Sequence, residues 1–200
     1  GEKETDFRSF LLKAKAANPD AIVLSGLVDE TVRALKQSYE VGIPKSVARV
    51  ANSVASKVEV PTNAGKAAVG VTYAAAFAAS DKRPIAKKFV KKIKDKYGVV
   101  PGHDFSQMQD LLDMLRPALE KAQLKFSGNL AADRNQVRDS IASITNFTGL
   151  ASGPIGFCAA GSPECRDGNK TPVMIEYTKG GKNFKTKVAG TVTFNPSAGL

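Results

Sequence analysis

The stretch Asn18-Pro19-Asp20-Ala21-Ile22-Val23-Leu24-Ser25-Gly26-Leu27-Val28-Asp29-Glu30 constrains the fold more than any other. It reads as a turn, a strand, a glycine loop and the start of a helix. The residue before a proline is pushed out of the helical region, so Asn18-Pro19-Asp20 ends whatever helix precedes it. Ala21 to Leu24 is a short apolar run between turn residues, the pattern of a parallel strand covered on both faces. Asp29 is a candidate N-cap for the following helix. Helix, strand, helix in that order makes an α/β layer, and in such sheets ligands sit beyond the carboxyl ends of the strands. The loop formed by Ser25, Gly26, Leu27 and Asp29 is therefore the first candidate for function.

The remaining chain sorts into helices, strands and a closing hairpin. Phe7, Phe10, Leu11 and Ala14 recur at the spacing of one helical face, so a first helix is predicted over 6–17, capped by Thr5 or Asp6. A second helix buries Val28, Val32, Leu35 and Tyr39 and ends at Gly42, a natural left-handed cap. Strands are predicted over 46–51 and 69–73, with the polar loop Asn52-Ser53 after the first. A third helix starts at Pro84, well placed in a first turn, with the stripe Ala86, Phe89, Val90, Ile93 and Tyr97, and stops at Gly98. A fourth carries Met108, Leu111, Leu112, Leu115 and Leu119, with Pro117 expected to kink it. A fifth opens at Asp133 and Gln136, a capping-box spacing, and buries Val137, Ile141 and Ile144. Beyond Gly153, residues 173–178 alternate as a half-buried strand. Gly180-Gly181 supplies a turn, and Phe184, Thr186 and Val188 return as the second strand of a β-hairpin.

Composition narrows the classes. With 42% hydrophobic and 24% charged residues, the 200-residue chain can bury a core. No stretch approaches 18 consecutive apolar residues, so no membrane span is expected. Gly1-Glu2-Lys3-Glu4 reads as the start of a chain already cut, without a signal peptide. A formal charge of +10 permits acidic or nucleic-acid partners. Cys158 and Cys165 lie close together in a turn-rich stretch. A disulfide between them would stabilise by about 2.5 kcal/mol in the chain-entropy model and would fit an exported protein; two reduced cysteines are the alternative. With His103 the only histidine, no metal ligand set forms.

Several segments together resemble a known family. Thr5-Asp6-Phe7, Asn18-Pro19-Asp20-Ala21-Ile22 and Tyr39-Glu40-Val41-Gly42-Ile43 are similar to the type I periplasmic binding proteins. Within these, they resemble the leucine/isoleucine/valine-type extracellular receptors of ABC importers. The likeness continues through Ala64-Gly65, Ala68-Val69-Gly70-Val71, Phe89-Val90, Lys96-Tyr97-Gly98, Asp110, Val137-Arg138-Asp139 and the segment from Gly153 to Phe157. It implies an α/β fold of two lobes with three-layer αβα sheets, present here as an incomplete, C-terminal portion of both. Residues 1–60 would be a lobe-two portion and 61–150 a lobe-one portion, with 151–200 returning to lobe two. Crossings are expected near 56–65 and 147–153. The missing N-terminal portion of the same protein would complete the lobes, and unpaired sheet edges are expected without it. The resemblance also implies a periplasmic or extracellular location and delivery of solute to an ABC permease.

On that resemblance, function is capture of a small solute in a cleft without covalent chemistry or a cofactor. The matching ligand positions are Ser25, Gly26, Leu27 and Asp29 in one loop and Arg49, Asn52 and Ser53 in the next. An ordinary strand-to-helix turn is the plainer reading of the first loop. In amino-acid-binding relatives an acidic group in the second loop pairs the ligand ammonium. Here that place offers no carboxylate, which favours a small carboxylate gripped by Arg49 over an amino acid. Asp110 is expected to be a structural hydrogen-bond partner and His103 an exposed turn residue. One histidine, no nucleophile elbow and no Gly-x-Gly-x-x-Gly argue against an enzyme. The competing signal is the lysine series 87, 88, 91, 92, 94 and 96, which suggests a basic module for nucleic acid or an acidic partner. Phe89 and Tyr97 fall on the apolar face and leave no stacking platform, so nucleic acid is disfavoured.

Overall fold

The computed structural model describes residues 4–122, 128–151, 154–157 and 171–191. Cys158 and Cys165 lie outside them. The chain forms two compact units. One comprises the chain through Asp81 with Val173–Thr191, and the other contains Lys82–Pro172.

The first unit is an α/β layer. Its elements are α1 (Arg8–Ala16), β1 (Ala21–Leu24), α2 (Val28–Glu40), β2 (Ala48–Ala51), α3 (Glu59–Ala64), β3 (Val71–Ala75), β4 (Val173–Lys179) and β5 (Lys185–Thr191). Short 3₁₀ turns cover Ser53–Ser56 and Gly65–Ala68. The sheet order is β1-β2-β3-β4-β5, with β1, β2 and β3 parallel and β4 and β5 antiparallel. Alternate residues of the inner strands, Ala51, Val71, Tyr73, Ala75, Val173, Ile175 and Tyr177, pack against Val32 and Leu35 of α2 and Val60 and Ala64 of α3. Period-two alternation thus meets the stripe of an amphipathic helix.

β1 departs from expectation. It is the edge strand, and Val23 is 73% exposed. Ile22 and Leu24 point to the covered face, Leu24 into the main core and Ile22 into a smaller cluster with Leu11, Ile43 and Val47. The strand is therefore covered on one face, because α1 packs with the C-terminal end of α2 and not on the opposite side of β1. The strand buried by its neighbours is β3.

Caps are also redistributed. Phe7 starts α1 without a side-chain cap; its N–H donates to Gln37 Oε1 at 2.6 Å, while Gln37 Nε2 donates to Thr5 O at 2.9 Å. Asp6 accepts from the Arg8 N–H at 3.0 Å. Leu27, not Asp29, is the N-cap of α2, and Asp29 sits in its first turn, where a carboxylate suits the helix dipole. At the other end Gly42 N–H donates to Tyr39 O and Ile43 N–H to Ser38 O. With Gly42 at φ +70° this is a Schellman ending, as the sequence predicts. Gly180 allows the hairpin to close against α3, since a Cβ there would lie 1.8 Å from Gly65 O. Tyr177 stacks at a tilt on Tyr73 (5.3 Å between ring centroids), meets Phe184 edge-on and donates its hydroxyl proton to Ala55 O.

The second unit is helical among the described residues: α4 (Pro84–Tyr97), α5 (His103–Ala122) and α6 (Leu130–Ala142). Ser140 Oγ donates to Ala118 O at 2.6 Å and joins α6 to α5. Asp110 is buried and accepts from the N–H groups of Leu150 and Ala151 at 2.7 and 2.8 Å. Arg83 donates to the carbonyls of Gly149 and Leu150. The 149–151 segment is therefore held from both sides, and Asp110 has the structural role expected of it. Asn129, not Asp133, caps α6, its side chain accepting from Ala132 N–H at 3.1 Å one turn before the expected start. His103 opens α5 with its side chain only 12% exposed, Nε2 lying 3.0 Å from Asp104 Oδ1, so it is not the exposed turn residue expected. The helix runs through Pro117, and Ser106, Asp110 and Ala118 are its buried residues. The expected apolar stripe is largely on the surface, with Met108, Leu111, Leu112 and Leu119 all exposed.

The domain boundary moves accordingly. The chain does not leave the first unit near 56–65, because β3 pairs with β2 in the same sheet. It leaves after Asp81 and comes back at Val173. No described helix is long and apolar enough to cross a membrane.

Candidate functional site

The three parallel strands end together, and the segments that follow β1 and β2 meet. Asn52 N–H donates to Leu24 O at 3.2 Å, and Asn52 Nδ2 donates to Gly26 O at 3.1 Å. The loop after β2 is thereby tied to the loop after β1. Gly26 also lies against the first turn of α2. A Cβ there would be 3.1 Å from Glu30 Cβ and 3.7 Å from Thr31 Oγ1. A side chain at position 26 would therefore crowd the point where the loop turns into the helix.

Around this junction the buried polar groups are incompletely paired. Among the described residues, Glu30 Oε2, Thr31 Oγ1, Asn52 Oδ1, Ser56 Oγ and Ser80 Oγ are buried atoms with no hydrogen-bond partner. All five belong to segments that follow β1, β2 or β3. A buried polar atom left unpaired costs about 1–3 kcal/mol. Five such atoms follow the parallel strands in sequence, and those of Glu30, Thr31 and Asn52, gathered at Gly26, mark a place suited to a hydrogen-bonding ligand. Two of them, Glu30 Oε2 as a carboxylate and Asn52 Oδ1, can only accept, while the three hydroxyls can donate or accept. Glu30, Thr31, Ser56 and Ser80 were not singled out by the sequence. The signal that could have found them was position alone, just past each strand.

The other expected residues divide. Ser25 and Leu27 are exposed on the loop after β1, Leu27 with 68% of its surface accessible, as are Asp29 in the first turn of α2 and Ser53 at the start of the 3₁₀ turn after β2. Leu27 provides no side-chain acceptor for the first-turn N–H groups of α2. Arg49 does not join them. It lies near the amino end of β2, where Nη2 donates to Ile43 O at 2.9 Å and Nη1 to Val47 O at 3.2 Å, with longer contacts to Pro44 O and Ser38 Oγ. Burial lowers its pKa from the usual arginine value. Its guanidinium braces the loop entering β2, so the carboxylate grip expected of it is not formed at the strand ends. The residues expected to hold ligand thus reduce to two loops tied by Asn52. Among the described residues no cluster of His, Cys, Asp and Glu could hold a metal ion.

The fold has counterparts among known proteins. The family model described as periplasmic binding protein matches residues 2–164. No curated protein sequence matches the chain. Among solved structures, the chain is similar to a leucine binding protein from Thermotoga maritima, at 26% identity and TM-score 0.77, over 98% of this chain and 50% of that one. It is also similar to an ABC transporter solute binding protein from Rhodopseudomonas palustris in complex with 3,4-dihydroxybenzoic acid, at 23% identity and TM-score 0.73, over 97% and 51%. A third is a branched-chain amino acid transporter substrate binding protein from Streptococcus pneumoniae in complex with isoleucine, at 21% identity and TM-score 0.72, over 97% and 50%. The chain spans about half the length of these structures.

Proposed function

The chain belongs to the periplasmic binding protein family, and from that premise we propose that it is part of the solute-binding component of an ABC importer. The reading is supported by the matched solved structures, which are solute-binding proteins. The observation that carries it is the unpartnered buried polar atoms of Glu30, Thr31 and Asn52 around Gly26, past the carboxyl ends of β1 and β2. Ser25, Gly26 and Leu27 form one side of the proposed site and Asn52 and Ser53 the other, with Asp29 and Glu30 at the start of α2. The ligand is an amino acid or a small organic acid, held by hydrogen bonds and apolar contact without covalent chemistry. Glu30 Oε2 and Asn52 Oδ1 accept from its donor groups.

The protein works in the periplasm or outside the cell and delivers its solute to a membrane permease. The remaining, N-terminal portion of the protein is its first partner. The exposed residues Met108, Leu111, Leu112 and Leu119 of α5 are the surface that portion covers, since an apolar stripe of this size calls for a partner.

Native mass spectrometry of the purified protein, followed by calorimetric titration with leucine, isoleucine and benzoate, tests the reading. Asn52→Ala, which unties the two loops, is expected to weaken binding about tenfold or more, in keeping with the loss of one or two hydrogen bonds. No bound solute and no response to any of these compounds, with the N-terminal portion present, would reject it.

A further inference from the structure

A second surface is left over once the solute site is accounted for. Lys87, Lys88, Lys91, Lys92, Lys94 and Lys96 of α4 are all exposed. Ala86 and Phe89 are buried on the opposite side of the helix, with Val90 and Ile93 half-buried beside them. The helix contains one acid, Asp95, which is ion-paired with Lys91.

This distribution works against the helix that carries it. Lys87–Lys91, Lys88–Lys92 and Lys92–Lys96 are like charges four residues apart, each destabilising by a few tenths of a kcal/mol. The single opposite pair has lysine on the N-terminal side of the acid, the weaker orientation. No acidic residue sits in the first turn, and Lys87 and Lys88 lie in the half where the helix dipole disfavours cations. Only Lys94 and Lys96, in the last turn, suit the dipole. Stability of α4 therefore does not account for four of the six lysines.

We propose that the lysine face of α4 is a docking surface for an anionic phospholipid bilayer. An array of phosphates relieves the repulsion between the lysines and gains from each of them. The chemistry distinguishes this partner from others. The face contains lysine and no arginine, so it offers flexible point charges and not the planar fork that fixes a carboxylate or phosphate in one geometry. Its aromatics do not interleave with the lysines: Phe89 is buried, and Tyr97, at the end of the helix and exposed against expectation, already has Lys96 Nζ over its ring at 5.1 Å. A diffuse, fluid layer of headgroups suits such a face better than nucleic acid or a shaped protein pocket. A binding protein that serves a permease works beside such a layer.

Vesicle sedimentation of the full chain tests this. Phosphatidylcholine vesicles with and without phosphatidylglycerol are compared at low and high salt. Binding is expected only to the anionic vesicles, and to fall as salt screens the charges. The variant Lys87→Gln, Lys88→Gln, Lys92→Gln and Lys94→Gln keeps helix propensity. It is expected to lose roughly fivefold in partitioning per lysine, several hundredfold in all. A variant with the same change in net charge in the first unit, Lys13→Gln, Lys36→Gln, Lys45→Gln and Lys182→Gln, is expected to lose far less. Equal losses in the two variants would show an unspecific charge effect and overturn the proposal. So would tighter binding to an oligonucleotide or to polyglutamate than to anionic vesicles at the same salt. Solute affinity is read separately and does not enter either outcome.

Discussion

Arg49 shows how one residue's position along a strand separates two roles. It stands second of the four residues of β2, and its guanidinium serves the carbonyls of Ile43, Val47 and Pro44 at the entry end. Arg49→Ala is expected to leave solute affinity unchanged while lowering stability by about 1–3 kcal/mol, seen in urea unfolding. Arg49→Lys should recover little, since an ammonium cannot reach several carbonyls at once. Tyr73 and Tyr177 give a second prediction. Burial, which outweighs the hydrogen bond with Tyr177, pushes the Tyr73 hydroxyl up to about 12, and burial with the neighbouring tyrosine raises that of Tyr177 further. An acid whose pKa is raised on folding contributes stability that is complete below its unfolded value near 10. That stability is lost as pH rises from there toward the folded value. Stability should therefore be insensitive to these groups up to about pH 9.5 and fall above it by about 1.4 kcal/mol per pH unit per tyrosine. In Tyr73→Phe the alkaline slope should be shallower; an unchanged slope in denaturant titrations would contradict the assignment.

At the scale of elements, the best-read pieces are those whose signal is local. α4 begins at Pro84 and stops at the left-handed Gly98, and the hairpin turns at Gly180-Gly181. The hairpin also depends on a contact that its own residues do not reveal. Gly180 meets the backbone of Gly65, so Gly180→Ala is expected to cost about 1–3 kcal/mol through overpacking. The comparison is Gly190→Ala, where the added Cβ meets nothing within 4 Å. Chemical denaturation of the two variants distinguishes close approach from loss of glycine as such. Caps were read less well. Asp29 and Asp133 have suitable side chains, but Leu27 and Asn129 occupy the cap positions. Several capping residues near a helix start compete, and the winner depends on where the preceding loop enters.

For the molecule as a whole, the division into two units matters most. β3 belongs with β1 and β2, which carries the first unit through Asp81. The second unit has the exposed apolar residues of α5 and no described strand of its own. The triple variant Met108→Gln, Leu111→Gln and Leu112→Gln is expected to change stability by less than about 0.5 kcal/mol per site, as exposed positions do. It should also reduce self-association in sedimentation velocity, because it removes an open apolar surface. A large loss of stability would mean that these leucines are already packed.

Periodicity, proline and glycine were enough to specify five of the six described helices (α3 was missed), the short strands, the α/β class and the two loops around Gly26 and Asn52. These depend on neighbours within a few residues, where backbone geometry and side-chain chemistry act directly. Sheet order depended on contacts between distant parts of the chain. So did the open face of Val23, the assignment of Arg49 to the wrong end for a ligand, and the gathering of Glu30, Thr31 and Asn52 around Gly26. Strand pairing sets which ends meet, and burial follows from what packs there; an apolar stripe looks the same whether its partner is present or not.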